Sequence, residues 1–172
     1  MLIKTKNNSS IRLYVTIFVL ALVEFGIFHR LRIFGVRPEI LLIATLFFGF
    51  NFGSAKGAEA GLVSGVLKGI FGITPLGIYV FSFVAIGLLA GILKNKLIKG
   101  NFMTQFFISN LAVYFIAGIY FIYMRQISDG GLASEFLKDC LYKGLYTGAL
   151  SPIFFFSLSR VFKIDKNYQE CE

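Results

Sequence analysis

The feature that most constrains this chain is a succession of six apolar stretches separated by short polar connectors. The stretches cover residues 11–28, 38–52, 58–71, 76–93, 102–123 and 136–161. Hydrophobic residues make up 56% of the chain and charged residues 15%, whereas soluble domains carry about 25% charged residues. One small core cannot bury so much apolar surface. We therefore predict an all-α membrane protein, a compact bundle of about six transmembrane helices in a single domain, residues 1–172.

Two of the predicted spans are short for a membrane. The stretches 38–52 and 58–71 hold about fifteen residues each, and helices of this length span roughly 22 Å against a hydrocarbon core of about 30 Å. Such a pair either thins the bilayer locally or lies partly buried among the other helices, and a five-span arrangement with a re-entrant hairpin is a third alternative. The small residues at 53–57 predict a tight break between the two helices.

Proline marks the beginning of two spans. Pro38 and Pro75 suit the first helical turn, where the missing N–H is not needed. Thr74 is the predicted N-cap of the fourth helix. Glu39, beside Pro38, carries a negative charge that is stabilising at the positive, N-terminal end of the second helix. Pro152 predicts a bend within the last span.

The distribution of basic residues predicts the orientation. With the N-terminus in the cytoplasm, ten lysines and arginines lie in inner segments: Lys4, Lys6, Arg12, Lys56, Lys94, Lys96, Lys99, Arg160, Lys163 and Lys166. Five lie in outer segments, and three of these, Arg30, Arg32 and Arg37, run against the rule without a firm explanation. The excess places both termini in the cytoplasm of a multi-pass protein of the bacterial inner membrane. We attribute the net charge of +8 to topology and anionic lipid rather than nucleic acid.

The residues that support catalysis or metal binding are scarce. His29 is the only histidine, and the two cysteines, Cys140 and Cys171, are predicted on opposite sides of the membrane. The sequence contains no G-x-S-x-G, H-E-x-x-H, P-loop or C-x-x-C pattern. We therefore expect no enzymatic activity, no catalytic residues, no metal site and no cofactor.

Glycine recurs at every fourth residue of the third span, at Gly57, Gly61, Gly65 and Gly69. On a helix this spacing forms a stripe that another backbone can approach closely. Gly87 and Gly91 form a shorter version on the fourth span. The stripe predicts packing within the bundle, and the sharper alternative is a docking face for a partner's transmembrane helix.

Two charged residues fall inside predicted spans, where charge is costly and marks candidate functional positions. Glu24 and Lys68 each lie about one turn from the outer end of a span. Lys68 is expected to project into the packed interior on the side of the glycine stripe. We predict that the two form an ion pair, so that reversing both charges restores folding that either single reversal destroys. The alternative is that both snorkel to the interface. Asp139 and Lys143, four residues apart, predict a local structural pair.

Three sequence elements follow one another between residues 37 and 93. The first is Pro38-Glu39-Ile40-Leu41-Leu42, which opens an apolar helix. The second is the glycine-rich segment 61–71, followed by Thr74-Pro75-Leu76-Gly77, and the third is Gly87-Leu88-Leu89-Ala90-Gly91. In this order they resemble the rod-shape-determining protein MreD family over about a third of the chain. One position departs from that pattern, because Gly69 stands beside Lys68 where the family often has Asp.

The resemblance implies a non-enzymatic membrane scaffold of the cell-elongation (rod) complex, which supports cell shape and lateral peptidoglycan synthesis. The implied partners are an MreC-like bitopic membrane protein, an actin-like filament protein and wall-synthesis enzymes. Pro38, Glu39, Pro75 and Gly77 are the family-motif positions, and the glycine stripe and the outer-half charges would contact partner helices.

Transport is the competing class. The substrate-binding membrane subunits of energy-coupling-factor vitamin transporters share this size and hydropathy. They commonly dock through Ala-x-x-x-Ala, which this chain lacks. They also need convergent polar groups for a ligand, and the candidates here are Asn51, Ser82, Asn110 and Glu24.

Overall fold

A computed structural model describes residues 3–27, 36–72, 75–95, 102–127 and 133–162. The six helices are α1 (Ile3–Leu22, continued by a π-helical turn, Val23–Ile27), α2 (Ile40–Phe52), α3 (Ser54–Phe71), α4 (Leu76–Ile92, continued by a 3₁₀ turn, Leu93–Asn95), α5 (Phe102–Ile127) and α6 (Ala133–Val161). The all-helical architecture is confirmed for the described residues.

The helix boundaries differ from the prediction where hydropathy is a poor guide to backbone geometry. The polar residues that precede the first span are already helical, so α1 begins at Ile3 instead of residue 11. The break predicted at 53–57 is present but shorter, because Gly53 alone separates α2 from α3. Its φ of +92° is a conformation that glycine adopts readily. The N–H of Gly57 then donates to the Gly53 carbonyl at 2.9 Å, and α3 begins at once.

The two prolines lie before their helices rather than within the first turn. Glu39 and Pro75 occupy the N-cap positions of α2 and α4, and Thr74 is outside the described residues. Pro152 lies inside α6, which is a single helix from Ala133 to Val161.

Helix α2 is the centre of the bundle. Every residue from 40 to 50 is buried, and α2 contacts all five other helices. Its thirteen residues span only about 20 Å. The burial and the contacts of α2 show that this short helix lies among the other helices. An aromatic cluster joins its second half to the end of α6. The ring centroids of Phe47 and Phe155 are 5.6 Å apart, and those of Phe48 and Phe162 are 5.2 Å apart.

The glycine stripe of α3 packs against α4. A Cβ atom on Gly57 would lie 2.2 Å from the carbonyl oxygen of Gly87, and one on Gly61 would lie 2.3 Å from that of Phe83. Gly91 meets the beginning of α3 in the same way, 2.2 Å from Ser54 Cα. Of the two interpretations of the stripe, packing within the bundle is the one that the structure shows.

A second close contact, not anticipated from the sequence, joins α5 and α6. The Asn110 side chain lies across Gly144 and Gly148 of α6, and its Nδ2 donates to the Phe106 carbonyl at 3.0 Å. Gly144 and Gly148 form a G-x-x-x-G pair that permits this approach.

Substitution of Gly148 by alanine should therefore destabilise the bundle by about 1–3 kcal/mol, the usual range for overpacking. A Cβ there would overlap Asn110 Nδ2 and touch the Phe106 ring at 3.1 Å. The measurement is thermal unfolding of the purified protein in detergent. Gly118→Ala is the matched control, because a Cβ at Gly118 meets nothing within 4 Å. Equal melting temperatures for the two variants would contradict the prediction.

Apolar side chains cover the outside of the bundle. Thirty large hydrophobic side chains of the described residues are exposed, on every one of the six helices. One described helix is long and apolar enough to cross a membrane by itself: its segment Phe102–Tyr123 has a mean hydropathy of 1.8. The helices Ile40–Phe52 and Leu76–Ile92 are apolar but shorter.

Candidate functional site

Four charged residues from four different helices meet at the end of the bundle where α2 begins. They are Glu24 from the π-helical turn of α1, Glu39 at the N-cap of α2, Lys68 from α3 and Lys143 from α6. We call these four residues the charge cluster.

The charges alternate along a chain of ion pairs. The Lys68 ammonium contacts the Glu24 carboxylate, so the ion pair expected from the sequence is present. The same ammonium lies 2.8 Å from Glu39 Oε2, and the Lys143 ammonium contacts Glu39 Oε1. The order is therefore Glu24, Lys68, Glu39, Lys143, and the sum of the formal charges is zero.

The charge cluster also caps the beginning of α2. The Leu41 N–H donates to Glu24 Oε2 at 2.8 Å, and the Glu39 N–H donates to the Thr147 hydroxyl at 3.1 Å. The first N–H groups of a helix have no partner within the helix. Here two other helices supply acceptors, and a carboxylate is favoured at this positive end.

Burial makes the pairing obligatory. Glu24 and Glu39 are 4% and 1% exposed, and the side chains of Lys68 and Lys143 are 12% and 32% exposed. Unpaired charge in such surroundings is very costly, whereas a paired chain of alternating sign avoids most of that cost. The charge cluster therefore ties α1, α2, α3 and α6 together at one level.

Local sequence patterns explain how each helix presents its charge. Glu24 continues the buried stripe of α1 formed by Leu13, Ile17 and Ala21. Lys68 continues a line of Ala60 and Ser64 on α3, one turn apart and both buried. The Lys68 ammonium reaches Glu24 of α1 and Glu39 of α2, so Lys68 faces the interior as expected.

Sequence reasoning missed two members of the charge cluster. Glu39 was assigned to the helix end and Lys143 to a local pair with Asp139. That pairing is wrong in the structure: Lys143 binds Glu39, and Asp139 is exposed. The signal was partial: Glu24, Glu39 and Lys68 lie within about one turn of the outer ends of their predicted spans, whereas Lys143 lies about two turns in.

The remaining predicted positions divide between packing contacts and open sites. Gly65 and Gly69 face Val80 and Leu76 of α4. Pro38 is buried just before α2, whereas Pro75 and Gly77 are exposed, and a Cβ on Gly77 would meet nothing within 4 Å.

Metal-binding residues do not gather in the described part of the chain, where no three His, Cys, Asp or Glu side chains are placed to hold an ion. Cys140 is a free thiol of intermediate exposure. His29 and Cys171 lie outside the described residues.

Comparisons with protein-family models, curated proteins and solved structures find no match for this chain. The resemblance to the MreD family therefore rests on the residues quoted above. Of those residues, Glu39 and Lys68 lie in the charge cluster, and Gly61, Gly87 and Gly91 lie in the contact between α3 and α4.

Proposed function

We propose that this chain is a multi-pass protein of the bacterial inner membrane with both termini in the cytoplasm. The exposed apolar surface supports this proposal. Monomeric soluble proteins rarely expose apolar patches of more than a few hundred Å², whereas exposed large hydrophobic side chains occur here on all six helices. In this orientation the charge cluster lies toward the outer side of the membrane.

Within that membrane we propose a non-enzymatic scaffold of the cell-elongation complex, which supports cell shape and lateral peptidoglycan synthesis. The observation that carries the proposal is the place of Glu39. The acidic residue of the Pro-Glu motif is the residue on which Lys68 and Lys143 both converge. Its role is to join helices, which suits a protein that acts by shape and contact. The partners would be an MreC-like bitopic protein and wall-synthesis enzymes, together with membrane lipid.

The bonding of the polar interior disfavours the transport alternative. Asn51, Ser82 and Asn110 were the polar candidates for holding a ligand. Each donates instead to a carbonyl one turn earlier on its own helix, at 2.9, 2.7 and 3.0 Å. The fourth candidate, Glu24, is paired within the charge cluster. A vitamin-binding subunit would need these groups to face a cavity.

We expect fusion of alkaline phosphatase, which is active only outside the cytoplasm, to place the C-terminus and the loop before α5 inside and the loop before α6 outside. Fusions after Glu172 and at Lys96 should be inactive, whereas a fusion at Gly130 should be active, because the positive-inside rule places 128–132 outside. A green fluorescent protein at the same three sites is the reciprocal control. Activity of the C-terminal phosphatase fusion would contradict the topology.

The scaffold proposal is tested by brief cross-linking of the tagged protein in its native membrane, purification in mild detergent and mass spectrometry. We expect an MreC-like bitopic protein and wall-synthesis enzymes to copurify, and depletion of the protein to make rod-shaped cells round. Recovery of a pair of nucleotide-binding subunits with a coupling membrane subunit would overturn the proposal in favour of vitamin transport.

A further inference from the structure

Three polar side chains lie on the apolar outer surface of α1 and α3, away from the charge cluster. Glu59 accepts a hydrogen bond from the Tyr14 hydroxyl at 2.5 Å and pairs with the Lys56 ammonium at 2.5 Å. We call Tyr14, Lys56 and Glu59 the surface polar set. None of the three contributes to the charge cluster.

Tyr14 is exposed, and Lys56 and Glu59 are half-buried, among side chains that suit lipid. Tyr14 is 44% exposed, and the side chains of Lys56 and Glu59 are 22% and 27% exposed. Val15, next to Tyr14 on α1, and Leu62, about one turn after Glu59 on α3, are also exposed. A carboxylate and an ammonium cannot face hydrocarbon at low cost, whereas tyrosine and lysine are typical of the membrane–water interface. The surface polar set therefore marks one edge of the hydrocarbon on this face.

The end of α3 marks the other edge. Helix α3 ends at Phe71, and α4 begins after its cap, Pro75. The last carbonyl groups of a helix have no partner within the helix, and such groups are not left unsatisfied in hydrocarbon. From Glu59 to Phe71 is about 18 Å along the helix axis.

The face presented by α5 is much taller. Helix α5 presents a long, predominantly apolar segment without charged residues, Phe102–Tyr123, which is about 33 Å long. Its exposed side chains include Phe107, Leu111 and Ile122. That height matches the hydrocarbon core of a bilayer, about 30 Å, whereas the face formed by α1 and α3 falls short by about 12 Å.

We propose that the face formed by α1 and α3 holds a locally thinned lipid layer, compressed between the surface polar set and the end of α3. The bundle would then sit in a bilayer of full thickness at α5 and of reduced thickness at the face formed by α1 and α3. Proteins with short spans are accommodated by such thinning, at a cost of a fraction of a kcal/mol per Å. The inference rests on membrane insertion, which is itself proposed above, but not on the role in cell elongation.

The absence of tryptophan from the chain makes a depth measurement straightforward. Single tryptophans are introduced at Val15 and Phe71, near the two edges of the face, in the full-length protein reconstituted in bilayers with 18-carbon chains. Quenching is compared between lipids brominated near the headgroup and lipids brominated near the chain end. The control pair is Leu111→Trp and Ile122→Trp on α5, which has a similar axial separation of about 16 Å. All four positions are exposed.

We expect Val15→Trp and Phe71→Trp both to be quenched more strongly by bromine near the headgroup. On α5 we expect Ile122→Trp to behave in the same way and Leu111→Trp to be quenched more strongly by bromine near the chain end. In a bilayer of normal thickness, two points about 16 Å apart cannot both lie at its edges. Stronger quenching of either probe of the α1 and α3 face by chain-end bromine would therefore overturn the proposal.

Two further outcomes would also overturn it, in distinguishable ways. Quenching of the α5 probes without quenching of Val15→Trp or Phe71→Trp would show that protein, and not lipid, covers the face. Absence of quenching at all four positions would show that the bundle is not inserted, which removes the membrane proposal as well.

A second variant tests the cause of the thinning. The variant Tyr14→Phe, Lys56→Leu and Glu59→Leu removes the polar groups that limit the hydrocarbon at this edge. The Val15→Trp probe should then be quenched more strongly by bromine near the chain end than before. An unchanged depth of this probe in the folded variant would show that the surface polar set does not limit the hydrocarbon.

Discussion

Replacement of Lys68 by methionine is expected to destabilise the bundle by about 3–5 kcal/mol, the usual cost of removing one partner from a buried ion pair. Lys68 is the only cation that contacts Glu24 in the charge cluster as described, and it shares Glu39 with Lys143. Its loss leaves the buried Glu24 carboxylate without a counter-ion and with the Glu39 carboxylate nearby. The effect is measured as the melting temperature in detergent and the yield of monodisperse protein.

A matched control is available on α6. Lys138 is exposed, so Lys138→Met removes the same charge without the same burial and should leave the melting temperature nearly unchanged. The melting temperature of Lys143→Met should lie between those of the other two variants. The Lys143 side chain is 32% exposed, so water can partly solvate the Glu39 carboxylate after the lysine is removed. Equal effects of Lys68→Met and Lys138→Met would contradict the assignment of the charge cluster.

The structure also changes the rescue experiment that the sequence suggested. Reversal of both charges, Glu24→Lys with Lys68→Glu, was expected to restore folding. It should now fail, because the new carboxylate would face Glu39 and the new ammonium would face the Leu41 N–H, which donates to Glu24. Full rescue by this double reversal would show that Glu39 is not coupled to the pair.

Neutralisation of the whole charge cluster should succeed where reversal fails. The combination of Glu24→Gln, Glu39→Gln, Lys68→Met and Lys143→Met removes every charge and leaves no carboxylate unpaired. Replacement of a buried ionic group by neutral side chains of similar volume is often neutral or stabilising. We therefore expect the quadruple variant to be more stable than Lys68→Met alone, and a lower melting temperature for the quadruple variant would contradict this account.

The second large effect is expected at the contact between Gly57 and Gly87. A Cβ on either residue would lie just over 2 Å from the carbonyl oxygen of the other, at 2.2 and 2.1 Å. Backbone atoms cannot rotate away as a side chain can, so Gly57→Ala forces α3 and α4 apart. We expect a loss of stability of about 3 kcal/mol, at the upper end of the range for overpacking.

The double variant Gly57→Ala with Gly87→Ala gives a sharper test of this contact. Both methyl groups require the same opening between the helices, so the double variant should lose less stability than the sum of the single variants. Gly77→Ala on α4 is the control, because a Cβ there meets nothing within 4 Å. Strictly additive losses would show that the two glycines do not share one contact.

The sequence predicted the helices well where the signal depends only on composition. The segment 102–123 is predominantly apolar and carries no charged residue, and α5 begins at Phe102 as predicted. The prediction of α1 was poorer, because residues 4–10 are polar and gave no hydropathy signal, yet they belong to the same helix. Hydropathy reports where a chain avoids water, whereas a helix ends where its backbone hydrogen bonds end.

The candidate site was predicted in part for a related reason. Glu24 and Lys68 stand alone within apolar stretches, so their burial and their need for a partner could be predicted from position. Glu39 lies at the edge of its span and Lys143 has Asp139 one turn away, so each already had an adequate local explanation. Only the tertiary packing shows that Glu39, at the N-cap of α2, also joins Lys68 to Lys143, and that Lys143 pairs with Glu39 instead of Asp139.

The sequence by itself determined that the chain is helical and apolar, which residues form a close-packing stripe on α3, and that two charges would need each other. These properties follow from composition and from the spacing of residues along one helix. The tertiary structure decided which helix fills the stripe, that α2 lies at the centre, and that Glu39 joins two lysines from different helices. Such outcomes depend on how six helices pack in space, and spacing along any one helix does not contain that information.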